Sequence, residues 1–213
     1  MQPARQPKHQ RRKQARPAEI LAAALKLFSE RGFSATRLED VAEAAGVSKA
    51  TIYLYFDSKQ DLFKALIHEI ASPRLDAIET LIENFDGPAT ALIHGLYERA
   101  RAISASPDMR AVIKLVLSEA GNFPDIAALY RDEMALRGLR NIARIIERGI
   151  ASGEFRPCDP IATGQSVILP VIMNALAQEV FGMTPELDPE RFLPSHLDFI
   201  LHGLAANKET KSR

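Results

Sequence analysis

The chain has 213 residues, 46% hydrophobic and 25% charged, which allows one large domain or a small one joined to a larger one and excludes a wholly disordered or low-complexity protein. Net charge is zero but uneven: residues 1–70 carry 12 Lys/Arg against 8 Asp/Glu, and residues 71–213 carry 15 against 19. A basic front suits a polyanionic partner, and the balanced total excludes a strongly basic or acidic protein.

Residues 1–16 contain Arg5, Lys8, Arg11, Arg12, Lys13 and Arg16, no acid and almost no apolar side chain. A flexible basic arm is expected there, serving either as a solubilising tail or as positive charge along a phosphate backbone. From Pro17 a 3.6-residue period takes over, with Ile20, Ala24, Leu27 and Phe28 on one face and Gly32 as a stop. A second helix is expected from Thr36, with Glu39 completing a capping box and Leu38, Val41, Ala42 and Ala45 facing inward. Gly46-Val47 make a turn, Ser48 caps a third, short helix, and Asp57-Ser58 end it and cap a fourth. That fourth helix buries Leu62, Phe63, Leu66, Ile67 and Ile70.

Helical periodicity continues over residues 73–85, 88–105, 107–120, 125–152, 160–181 and 189–206, separated by Gly87-Pro88, Ser106-Pro107, Asn122-Phe123-Pro124 and Pro157-Cys158-Asp159-Pro160. No strand alternation or internal repeat is visible. The expected fold class is therefore all-α. A small helix-turn-helix unit spans residues 17–70, a helical bundle spans 71–206, and a polar tail follows over 207–213.

The stretch AGVSKATIYLYF, residues 45–56, carries the functional signal. Two helices joined by a short glycine turn, the second brief, form a helix-turn-helix pattern. On the third helix Ile52 and Phe56 share one face and belong to the core. Ala50, Thr51 and Leu54 point away from it, and Tyr53 and Tyr55 flank it at about 80°. Small and apolar side chains on an outward face suit a major groove. There the Thr51 hydroxyl reaches a base edge and the Ala50 and Leu54 methyls meet a thymine methyl. Ser48 and Lys49, at the helix start, complete the base-reading set. Tyr53 and Tyr55, together with Thr36 and Arg37 at the start of the second helix and Lys59 at the start of the fourth, are candidate phosphate contacts. The alternative is that the tyrosines are half-buried packing residues and Leu54 a stray exposed side chain.

Residues 17–64, and within them VAEAAGVS, TIYLYF and SKQDLF, resemble the DNA-binding domain of the TetR family of transcriptional regulators. The family's usual glycine after VSK is Ala50 here. The resemblance implies a homodimer on a palindromic double-stranded DNA operator, with the two reading helices in successive major grooves about 34 Å apart. It further implies a repressor that a small-molecule effector, bound in the C-terminal domain, releases from DNA. Residues 106–130 resemble one subgroup of the family's C-terminal domains without naming the effector. An activator or a ligand-independent DNA-binding factor remains open within DNA binding, and a helical protein-interaction scaffold outside it.

In the back half, residues 160–181 show two apolar stripes. Ile161, Ile168, Leu169, Ile172 and Leu176 are assigned to the subunit's own core, and Val167, Val171 and Ala175 to a partner subunit. Leu197, Ile200, Leu201 and Leu204 of the last helix extend that dimer interface. Leu117, Phe123, Tyr130, Met134, Gln165, Leu169 and Met173 are the candidate effector-pocket residues, with core packing as the alternative for each. Glu119, on a mostly apolar helix, is expected to pair with an arginine, with reading a ligand amine as the alternative.

Cys158 is the only cysteine, so neither an intrachain disulfide nor a cysteine zinc cluster is available, which fits a reducing compartment. The five histidines show no metal spacing, and no nucleotide-binding or nucleophile-elbow motif occurs. No enzyme activity, cofactor or metal is expected. No uninterrupted run of about 18 apolar residues occurs, nor an apolar stretch behind the N-terminal charges, so a cytoplasmic protein with no membrane partner is expected.

Overall fold

The computed structural model describes residues 8–206, with side chains from Arg16 onward. It is all-helical apart from a single antiparallel bridge between Phe155 and Ala205. The front comprises α1 (Lys8–Arg31), α2 (Leu38–Ala44) and α3 (Lys49–Tyr53). The long α4 (Lys59–Asn84) leads into α5 (Ala89–Ala105), α6 (Pro107–Glu119), α7 (Pro124–Leu129), a π-helical segment Tyr130–Ala135, α8 (Leu136–Ala151), α9 (Pro160–Phe181) and α10 (Pro189–Leu204).

Several boundaries differ from the sequence-based ones. Residues 8–16 of the expected flexible arm are helical, because Lys, Arg and Gln are good helix formers and Pro17 costs one hydrogen bond without ending the helix. The expectations for residues 1–7 and 207–213 lie outside the described residues. α2 starts one residue late. Its first turn is closed by the Arg37 N–H donating to Asp40 Oδ2 at 3.2 Å, not by Thr36 and Glu39. The expected helices on either side of residue 72 are one helix, α4, running through Pro73. The proposed domain boundary at residue 70 therefore falls inside one continuous helix shared by both halves.

Two cores follow. In front, Phe28, Phe33 and Phe63 pack mutually with ring centroids 5.0–5.7 Å apart. Phe123, at the start of α7, stands edge-on to Phe33 at 4.9 Å, so the front core includes side chains from α6 and α7. Behind, Leu92, Ile93, Ile145, Ile146, Phe155, Leu193 and Leu204 join α5, α8 and α10.

α9 is 22 residues long and, although polar residues interrupt its apolar run, is apolar enough by length and composition to cross a membrane. Two of its polar residues are paired within the fold: the Gln178 amide donates to Asn174 Oδ1 at 2.8 Å, and the Asn174 amide to the Leu187 carbonyl at 3.2 Å. Pro170 deprives the Ser166 carbonyl of its helical donor, and that carbonyl favours the protonated form of His196 on α10. The Tyr97 hydroxyl of α5 lies within hydrogen-bonding distance of the ring, at 2.9 Å from Nδ1.

Candidate nucleic-acid interface and internal cavity

The turn between α2 and α3 is a Schellman motif. The Val47 N–H reaches the Ala42 carbonyl at 2.9 Å and the Gly46 N–H the Glu43 carbonyl at 3.0 Å. Gly46 sits at φ +64°, where a side chain would be strained. Ser48 caps α3 by accepting the Thr51 N–H at 3.2 Å, and the Ser48 and Thr51 hydroxyls are 2.8 Å apart. Ile52 is fully buried and Phe56 nearly so, which turns the opposite side of α3 outward. Leu54 is 80% exposed, the largest exposure among the described bulky apolar residues, and Ala50, Tyr53 and Tyr55 are exposed beside it. No other segment among the described residues covers this face.

The flanking polar residues divide. Arg37 is exposed and forms no ion pair among the described residues. Lys49 pairs with Glu39 of α2, which raises the ammonium pKa and lowers that of the carboxyl, chiefly through their hydrogen bond.

Two expected phosphate contacts are occupied elsewhere. Thr36 is 1% exposed, and its hydroxyl donates to the carbonyls of Gly32 at 2.8 Å and Leu27 at 3.3 Å, sealing the end of α1. The Lys59 ammonium donates to the carbonyls of Phe33, Ser34 and Thr36 at 2.7, 3.1 and 2.9 Å and lies 4.5 Å over the Phe33 ring. Its three protons are thus consumed by the loop after α1. Burial lowers its pKa, and the negative charge of Glu119 opposes that shift. Among the described residues Glu119 has no arginine partner. It accepts from Ser34 Oγ and from the Asn122 amide, each at 3.4 Å, which ties the end of α6 to the loop after α1.

Behind this head a cavity of about 180 Å³ opens between α4, α5, α6, the π segment, α8 and α9. Of the expected pocket residues, Tyr130 and Met134 line it. Leu117, Gln165, Leu169 and Met173 are exposed on outer faces, and Phe123 packs on Phe33. The two stripes of α9 divide differently from expectation. Val167, Val171 and Ala175, assigned to a partner, line the cavity; of the stripe assigned to the core, Ile168 and Ile172 line it too, whereas Ile161 and Leu169 face outward. On α10, Leu197, Ile200, Leu201 and Leu204 belong to the subunit's own core, and Phe199 is the bulky outward residue. Periodicity separates two stripes but does not say which one a neighbouring helix covers. The sequence reading missed Arg74 and Arg99, which also line the cavity. Each is a lone charge on an otherwise mixed helix face, with no local pattern to mark it.

Comparison with known proteins agrees with both halves. Residues 20–66 match the profile of bacterial regulatory proteins of the tetR family, and residues 93–194 match the C-terminal domain of AefR-like transcriptional repressors. The HTH-type transcriptional regulator RutR of Escherichia coli K12 is 35% identical over 158 residues, covering 72% of this chain and 70% of RutR. Two solved structures share the fold. The SmeT–triclosan complex has a TM-score of 0.78 at 22% identity, covering 91% of this chain and 93% of SmeT. FadR of Bacillus subtilis in complex with stearoyl-CoA has a TM-score of 0.75 at 21% identity, covering 88% of this chain and 98% of FadR. With a helix-turn-helix head whose short second helix presents an uncovered face, and with both domain profiles matched in order, the chain belongs to the TetR family of DNA-binding transcriptional regulators.

Proposed function

We propose that the chain acts as a homodimeric repressor that binds a two-fold-symmetric operator and leaves it when a small molecule fills the cavity. The uncovered face of α3 carries this reading. A surface helix that exposes Leu54 and two tyrosines loses solubility unless something covers them, and a major groove is the right width and chemistry. Ser48, Ala50, Thr51 and Leu54 are assigned to base edges, and Arg37, Tyr53 and Tyr55 to phosphates. Lys49 joins the base-reading set by exchanging Glu39 for DNA. Thr36 and Lys59 hold the head together instead.

The partner subunit docks on the outer faces of α9 and α10, where Leu169 is 58% and Phe181 77% exposed, with Ile161, Met173, Val180 and Phe199 around them. SmeT and FadR, solved with triclosan and stearoyl-CoA, support an effector role for the internal cavity.

Salt titration of binding to operator DNA tests the reading. A dimer neutralising about six phosphates gives a log–log slope of about −5. Tyr53→Phe weakens all sequences alike, and Leu54→Ala changes the preferred sequence. Binding that is absent or insensitive to salt rejects the proposal.

A further inference from the structure

We infer that the cavity takes a small carboxylate, an apolar body of roughly six to eight carbons bearing one anionic head. This rests on reading the cavity as the effector site and adds the class of effector.

Size sets the body. A cavity of about 150 Å³ holds benzene, so the 180 Å³ found here takes a ring with a short substituent or a short chain, well below the roughly 300 Å³ of a drug-sized site. Side chains such as Ile78, Val112 and Val171 make the wall apolar.

Charge sets the head. Arg74 of α4 and Arg99 of α5 both line the cavity, half-buried, and no Asp or Glu lines it. Neither arginine forms an ion pair among the described residues, whereas Arg110 and Arg137 of the same bundle pair with Glu179 and with Asp76 and Glu79. The one hydrogen bond of each goes to a carbonyl of its own helix, Ile70 for Arg74 and Gly95, at 3.2 Å, for Arg99. Each fork keeps most of its five donors.

Two hydroxyls add to this. Ser104, almost completely buried, and Tyr130 line the same space, and neither hydroxyl has a partner among the described residues. Burial raises the Tyr130 pKa and so keeps the phenol protonated, as a donor. The wall itself is almost wholly apolar, and the donors and positive charge that border it come from these few side chains. A carboxylate, which only accepts, satisfies both, and guanidinium–carboxylate hydrogen bonds are the stronger kind. A cation would meet two like charges, and a neutral molecule would leave donors unpaired.

Calorimetric titration of the full chain, without DNA, against octanoate, 1-octanol and octylamine at neutral pH is the test. Octanoate binds at least about tenfold more tightly than 1-octanol, with octylamine weakest, and the double variant Arg74→Gln/Arg99→Gln loses that preference while retaining 1-octanol. Octanoate that fails to bind, equal affinity for octanoate and 1-octanol, or a preference that survives in the double variant overturns the inference. If the variant does not fold, the order of the three ligands on the unaltered chain decides. Operator release is measured separately. Octanoate that binds yet leaves the DNA complex intact removes the effector reading and keeps the ligand class.

Discussion

Lys59 shows how a side chain's partners change its role. A lysine at the start of a helix beside a reading head looks like a phosphate contact. Here its ammonium closes the loop after α1 through three carbonyls and an aromatic face. Lys59→Ala is therefore expected to lower global stability by about 1–3 kcal/mol in urea unfolding, because buried carbonyls lose their donor. An unchanged midpoint would return Lys59 to the DNA. His196 gives a pH dependence. Burial lowers its pKa from 6.5, and the Ser166 carbonyl only partly opposes this. The folded chain then binds fewer protons than the unfolded one. Stability is full above the unfolded value and declines as pH falls through the lowered folded value. His196→Gln should flatten the fall in melting temperature between about pH 7 and 5 relative to the parent chain.

Among the helices, α5 begins at Pro88, which offers no capping side chain, and the cap comes from Glu154, beyond the end of α8. Its carboxylate accepts the N–H groups of Ala89 and Thr90 at 2.9 and 3.0 Å and the Thr90 hydroxyl at 2.9 Å. Burial pushes the Glu154 pKa up, but these donors and the Ser152 hydroxyl outweigh it and hold it at about 2. The folded value lies below the usual 4.5, so this stabilisation is present above pH 4.5 and is lost as pH falls toward 2. Glu154→Ala should cost about 1–2 kcal/mol at neutral pH, and the deficit should shrink below about pH 4. Nearby, a Cβ on Gly149 would lie 2.0 Å from the Phe155 ring, so this glycine lets the strap that carries Glu154 fold back over α8.

Across the whole molecule, α4 connects the cavity to the head, since Ala71, Arg74, Leu75 and Ile78 line the cavity and Lys59 and Leu62 brace the front core. The Glu119–Ser34 and Phe123–Phe33 contacts add a second connection from α6 and α7. The outer face of α9 is the proposed dimer interface. Leu169→Glu combined with Phe181→Glu should leave a folded monomer in sedimentation velocity and weaken operator binding by more than about tenfold, because two heads no longer share one duplex. A variant that remains dimeric would place the interface elsewhere.

Periodicity and turn chemistry made the front half legible. The 3.6-residue spacing of apolar residues marks the front helices, Gly46 is what a left-handed turn requires, and Ser48 can satisfy the free N–H groups of a helix start. Those are local constraints, written within a few residues, and they suffice to turn Leu54 outward. Contacts between distant segments are not written that way. Thr36 and Lys59 became structural because carbonyls of the α1–α2 connection lie within their reach. Pro73 and Pro170 sit inside helices because tertiary packing outweighs one missing hydrogen bond each. The stripes of α9 are equally apolar, and only the approach of α8 and α6 to one side of it turns Val167, Val171 and Ala175 inward and leaves Leu169 and Phe181 exposed. Hydrophobic burial has no preferred direction, so the face that is covered depends on which helix arrives.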